Sequence, residues 1–205
     1  FLALAAAAQQ RGMRLAGHAP KGITLGEAAA AGLGSVEHAE TVTLALDSAA
    51  DPERLAMFRA VAKAGTFITP TLITEITLWL TPDSVARAIL ADSNGTRDPW
   101  RRYASRRALG VWEHVLALNK QGADPDANWK ALYRRQVADV RLAHQAGVAF
   151  LVGTDLGSPV GLYPGASLHE ELALLVRDGG LTPAEALRAA TMAPVGRYVS
   201  SFRTR

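Results

Sequence analysis

The sequence contains no cysteine in its 205 residues. Disulfides and thiolate metal ligands are therefore excluded, and a metal would have to be held by His, Asp, Glu or a modified side chain. The same absence leaves the cellular compartment undetermined. No apolar run approaches the roughly 20 residues that a bilayer-spanning helix needs, so no membrane partner is expected. Aromatic residues are scarce, at 6%, and they do not alternate with basic residues as in a platform for single-stranded nucleic acid. Charge of one sign is lacking too: 22 Lys and Arg face 19 Asp and Glu, a net of +3. Nucleic-acid binders concentrate their charge, so this balance does not call for such a partner. The densest basic stretch is Arg101, Arg102, Arg106 and Arg107, with Arg134 and Arg135 further on. It reads as exposed helix faces. Apolar material is plentiful, at 49% of the chain, enough for one globular core.

The order of elements can be read from turn and cap residues. Phe1 to Ala8 resembles the end of a buried helix, stopped by Gly12, in a chain that opens inside a longer protein. Met13 to Gly17 reads as a short strand ending at His18, and Thr24-Leu-Gly-Glu27 has capping-box spacing for an Ala-rich helix. Gly34 to His38 is the next strand. Strand, helix and strand in so short a span indicate a tight parallel β/α unit. Asp51-Pro52-Glu53 supplies an N-cap, a first-turn proline and an acid for a helix ended by Gly65, and Thr66 to Thr69 is a strand halted by Pro70. Residues 75–145 are long, charged and helical in pattern, with Trp79, Trp100, Trp112 and Trp129 and a further Thr-Pro-Asp start at Thr81. Within them residues 75–135 read as a helical insertion, a length that often forms a lid. Val148 to Val152 is a continuous apolar strand ending in Gly153-Thr154-Asp155. Helices then open at Ser167-Leu-His-Glu170 and at Thr182-Pro-Ala-Glu185, both with capping-box spacing. Alternating strands and helices with buried strands indicate a parallel α/β fold.

Three of the four expected strands end in a residue able to bind metal: His18, His38 and Asp155. Each has an ordinary structural alternative, a hydrogen-bonded histidine or a capping aspartate. Imidazole and carboxylate together are common ligands for a borderline cation such as zinc. In a β/α barrel the active site lies at these C-terminal strand ends.

Gly17-His18-Ala19, Ser35-Val36-Glu37-His38 and Val152-Gly153-Thr154-Asp155 resemble the strand-five, strand-six and strand-eight motifs of the metal-dependent amidohydrolase superfamily. Thr69-Pro70-Thr71-Leu72 is similar to its strand seven. Pro164-Gly165-x-Ser167-Leu168-His169-x-Glu171-Leu172 resembles the segment after the family's metal-binding aspartate, and Gly180 to Thr191 is similar to the next helix of that family. The motifs stand in the family's order and leave out mainly residues 75–135; they are similar to those of imidazolonepropionase-like and Xaa-Pro dipeptidase-like members. The resemblance implies a distorted (β/α)8 barrel, here its C-terminal half, with one or two divalent ions, usually zinc. It implies that His18 and His38 hold the deeper ion. Asp155 would contact the other ion or the water and shuttle the proton. Substrates of such members are small molecules: cyclic amides, other amides and dipeptides.

The family's strand-one His-x-His and strand-four lysine have no counterpart, and Lys21 on the loop after His18 is a poor substitute. The chain alone is therefore expected to retain metal weakly and to show no hydrolase activity. His169, in a first helical turn, and Tyr163, in the loop before it, are candidate substrate contacts; His114 and His144 are read as structural or solvated. A mononuclear deaminase of the same superfamily is the nearest alternative. Such enzymes carry an acid shortly after the strand-five histidine, and here the nearest is Glu27, assigned to a helix cap. A non-catalytic half-barrel that only binds a partner or a small molecule is the alternative outside enzymes, and a homo-oligomer is left open.

Overall fold

The computed structural model describes residues 1–46, 49–122, 128–157 and 159–195. Four parallel strands, β1 (Leu15–Gly17), β2 (Leu33–Glu37), β3 (Phe67–Thr69) and β4 (Ala149–Phe150), lie side by side in sequence order. Pairing neighbours in register, with Val36 opposite Ile68 and Ile68 opposite Phe150, puts every strand's C-terminal end on one side of the sheet. This order suits a barrel wall built by successive β/α units.

The helices between the strands begin where the sequence signals them. In α2 (Leu25–Ala30), Thr24 accepts from the Glu27 amide while Glu27 accepts from the Thr24 amide at 2.7 Å, a reciprocal cap. After β2 come α3 (Ala39–Ala45) and α4 (Asp51–Ala64). The α4 cap falls one residue earlier than expected: Ala50 is the N-cap, and Glu53 accepts from its amide at 3.0 Å. Asp51 thus sits in the first turn, where its charge faces the positive end of the helix. Gly65 closes α4 with φ 68°, a left-handed turn that a side chain would strain.

The N-terminal helix α1 (Leu2–Gln10) is present, but it is not buried as its composition suggests. Ala5 and Ala8 are covered, whereas Leu2 and Leu4 are exposed. Its apolar residues are small alanines spread around the helix without a clean stripe, so only one narrow face finds a partner.

After β3 the chain runs through α5 (Leu72–Glu75), a π-helical turn at Ile76–Leu80, α6 (Asp83–Ala91) and a 3₁₀ turn at Pro99–Tyr103. Two long helices follow, α7 (Arg106–Gly122) and α8 (Trp129–Gln145), before β4. Thr81 ends the π turn; α6 is preceded instead by Pro82. After β4 come α9 (Ala166–Arg177), α10 (Pro183–Ala190) and the short α11 (Met192–Pro194). The Thr182–Glu185 capping box opens α10 as expected. The one expected at Ser167 does not form: the α9 cap falls two residues earlier, at Gly165, and buried Ser167 accepts from the Tyr163 amide at 2.8 Å.

The main core joins Val36, Ile68 and Phe150 from the strands to Leu25, Phe58, Val61, Val140 and Leu175 from the helices. Burying each such side chain contributes about 1.5–3 kcal/mol. A second cluster, Ala86, Trp112, Leu116, Val160 and Tyr163, packs α6 and α7 against the loop after β4. Arg101, in the 3₁₀ turn between α6 and α7, departs from its expected exposure. It is buried, donating to the carbonyls of Ile89 and Leu90 at 3.0 and 2.9 Å, while Arg102, Arg106, Arg107, Arg134 and Arg135 are exposed. One buried ion pair, Arg54 with Asp139, ties α4 to α8; Thr43 adds a 2.7 Å bond from α3 to the same carboxylate. Among the described residues no helix is long and apolar enough to cross a membrane.

Candidate active site

The residues singled out by sequence stand beyond the C-terminal ends of the strands. His18 follows β1 and His38 follows β2, and their rings meet edge to face with centroids 4.9 Å apart. Register explains the meeting, because Gly17 pairs with Val36 and the two chains leave neighbouring strands together. His18 is exposed and His38 half-buried.

Backbone strain marks the same face. Among the described residues only His38, Thr71 and Asp155 have positive φ without being glycine, at 65°, 52° and 47°. Each follows one of the strands β2, β3 and β4. Such conformations cost on the order of 1–3 kcal/mol each and persist where surrounding bonds hold them. The holding bonds are visible at His38: its amide donates to the Thr69 carbonyl and the next amide to Pro70, both at 2.9 Å. The His38 ring is fixed as well, with Nδ1 2.9 Å from the Thr71 hydroxyl. This contact leaves Nε2 as the ring atom for a ligand.

The turn that follows Thr71 is itself held by Glu171. That carboxylate, fully buried, accepts from the amides of Leu72 and Ile73 at 3.0 and 2.8 Å and so caps α5. Burial pushes Glu171 up to about 7 against those two bonds, and the charge of Glu75 adds to the rise. Glu75 itself is buried at the far end of α5. Burial lifts it to about 7, opposed by a 3.0 Å bond from the Gln136 amide and assisted by the charges of Glu40 and Asp155. Sequence reading gave Thr71, Glu75 and Glu171 no role. Glu75 carried a signal, being the one charged residue between Lys63 and Asp83 in a strongly apolar run.

Asp155 is exposed, at the end of a segment pinned by the Thr74 hydroxyl, which donates to the Thr154 carbonyl at 2.5 Å. Gly153 is required there because a Cβ would lie 2.8 Å from Cγ2 of Thr69. Among the described residues no group of three or more His, Asp or Glu is arranged to hold a metal ion. His18 and His38 are thus brought together, and Asp155 does not complete a three-ligand group with them. Two adjacent imidazoles fit a borderline divalent cation as part of its ligand set.

Tyr163 is placed differently from a substrate contact. It is buried against Trp112, with ring centroids 5.3 Å apart, and its hydroxyl donates to Asp98 at 2.6 Å. Burial and that carboxylate push the phenol up. His169 is exposed in the first turn of α9. His144 lies 3.2 Å from Glu185, and His114 is exposed.

A model of the amidohydrolase family matches residues 1–198. The chain belongs to the amidohydrolase family. Divalent metals are general in that family. Among solved structures, the chain is similar to a bottromycin amidohydrolase, with 26% identity and a TM-score of 0.66 over 99% of this chain and 44% of that one. An ochratoxinase from A. niger shares the fold, with 23% identity and a TM-score of 0.51 over 95% of this chain and 33% of that one. The chain therefore spans less than half the length of these amidohydrolase structures. No curated protein matches it.

Proposed function

We propose that this chain supplies half of the active face of a metal-dependent hydrolase of carbon–nitrogen bonds in small amide, cyclic amide or dipeptide-like substrates. The observation that carries the proposal is the apposition of His18 and His38 at neighbouring strand ends, 4.9 Å apart, in a chain of the amidohydrolase family. His18 and His38 would hold a divalent ion, zinc being the best match to imidazole donors. A bound ion supplies a water whose pKa is lowered to about 7.

The chain's own residues do the remaining work. Thr71 orients His38 through Nδ1. Asp155, exposed on the same face, would be the carboxylate that takes a proton from the attacking water and passes it to the leaving nitrogen. Glu27 supports hydrolysis over ring deamination. Its carboxylate accepts from both the amide and the hydroxyl of Thr24, which hold its pKa down, so it is a helix cap and not a proton donor to a ring.

The test is zinc titration and product analysis on the protein that carries this chain. His18→Ala and His38→Ala should each lower zinc affinity, and Asp155→Asn should lower kcat about 10²-fold or more while leaving zinc bound. Turnover should release an amine and a carboxylate. Ammonia released from aminopurines alone, or unchanged zinc binding in the double histidine variant, would overturn the reading.

A further inference from the structure

Gln136, on α8, is fully buried, and its amide oxygen has no hydrogen-bond partner among the described residues. The crevice it shares with Ala39, Val42 and Ile68 has no room for a water molecule. Solvent therefore cannot supply the missing donor. The amide nitrogen of the same side chain donates to Glu75 Oε2 at 3.0 Å. Glu75 is buried too, at the end of α5 where the π turn begins.

A carboxylate only accepts, so ionised Glu75 can meet the nitrogen of Gln136 but not its oxygen. Turning the amide over merely exchanges which of its atoms is left unpaired. A protonated carboxyl carries one O–H donor beside one C=O acceptor, the complement of a primary amide. The two groups can then close a planar ring of two hydrogen bonds, O–H to Oε1 and Nε2–H to the carbonyl.

The surroundings favour the neutral form. Among the described residues the charges acting on Glu75 come from acids, Glu40 on α3 and Asp155 beyond β4, and Glu171 on α9 is coupled to it as well. Asp139, one turn along α8 from Gln136, is matched by Arg54, and the π turn Ile76–Leu80 brings no titratable side chain. Burial first, and then the acidic neighbours, push Glu75 up to about 7 against the bond from Gln136.

We infer that Glu75 carries a proton in the folded chain and donates it to Gln136, an acid–amide latch that holds α5 to α8 until the proton is lost. What the latch steadies lies on the candidate active face. Glu171 holds the start of α5, and the Thr74 hydroxyl joins the helix to the Thr154 carbonyl at 2.5 Å, next to Asp155. On the hydrolase reading, Glu75 is thus a positioning residue for Asp155, acting through Thr74.

Infrared spectra of the protein that carries this chain, taken near pH ~5.5, should show a protonated-carboxyl band that disappears in Glu75→Gln. That variant can still pair its amide with Gln136, so far-UV circular dichroism should show it folded. In Gln136→Leu the band should persist but move to higher wavenumber, as in an acid that has lost its hydrogen-bonded partner. Should Gln136→Leu not fold, the Glu75→Gln comparison decides alone. Opening of the latch is read by amide hydrogen exchange over residues 72–80, corrected for the chemical rate at each pH. A single group raised from 4.5 to about 7 predicts about a tenfold rise in exchange from roughly pH 6 to pH 8 in the parent. The rise should shrink below about threefold in Glu75→Gln, with Glu171 carrying any remainder. No carboxyl band lost in Glu75→Gln, a band that a folded Gln136→Leu leaves unmoved, or an equal rise in parent and Glu75→Gln would overturn the latch. Neither readout needs turnover, so absent hydrolysis with the band and exchange profile as expected would sink only the catalytic reading.

Discussion

The Thr71 hydroxyl lies 2.9 Å from Nδ1 of His38, joining two residues that both hold positive φ at the ends of adjacent strands. The contact selects which imidazole nitrogen is free, and outer hydrogen bonds of this kind typically account for 10–100-fold in metal affinity. Thr71→Val removes the hydroxyl and keeps the β-branched shape, so the strain at φ 52° is matched. Zinc affinity by chelator competition should fall about tenfold or more in Thr71→Val and recover in Thr71→Ser. Equal affinity in all three would show that the hydroxyl does not support a ligand.

The Arg54–Asp139 pair is a buried electrostatic tie between α4 and α8. Asp139 is reached by Arg54 and by Thr43, and Arg54 also donates to the Leu46 and Ala49 carbonyls at 2.8 and 3.0 Å. Removing one partner leaves the other buried and unpaired. Asp139→Ala should therefore destabilise the chain by about 3–5 kcal/mol in urea unfolding. Replacing both charged residues with apolar ones should cost less than the single change, because no orphan charge is left.

Burial of Glu75 and Glu171 makes stability depend on pH. Both are raised from an ordinary 4.5 to about 7, with burial as the first cause in each. A carboxyl raised on folding favours the native state in its protonated form. That contribution is complete below about pH 4.5 and is lost as pH climbs through about 7. For Glu75 the loss is bounded at roughly 3 kcal/mol. The urea midpoint should be higher near pH 5 than near pH 8, and Glu75→Gln should shrink the difference. A midpoint that rises across this window in the parent chain would contradict the assignment.

Much of the fold was legible because its signals are local. Thr24 with Glu27, Thr182 with Glu185, and Gly65 each fix a helix end through bonds to near neighbours. The alternation of these helices with short apolar runs points to the parallel order. The errors came where a distant contact decides. Arg101 lies in a basic cluster yet is buried, because its guanidinium finds the carbonyls that end α6. Ser167 has the spacing of a cap but is drawn into the core by Tyr163. In the site, His18 and His38 were legible as strand-end residues. Thr71 and Glu171 were not, since their roles depend on partners distant in the chain: His38 for Thr71, and the Leu72 and Ile73 amides for Glu171.

Gly153 offers a test of how tightly the strand ends are packed. A Cβ added there would stand 2.8 Å from the Thr69 methyl, closer than real side chains approach. Its backbone shows no positive φ, so the constraint is space and not conformation. Gly153→Ala must therefore push the segment leading to Asp155 away from β3 or move Thr69. Overpacking of this kind costs about 1–3 kcal/mol. Thr69→Ser removes the methyl that is struck, so the double variant should regain most of the lost stability, with positive coupling in a thermal-unfolding cycle. A single variant as stable as the parent, or a double variant whose losses simply add, would mean that Gly153 does not set the distance between these strand ends.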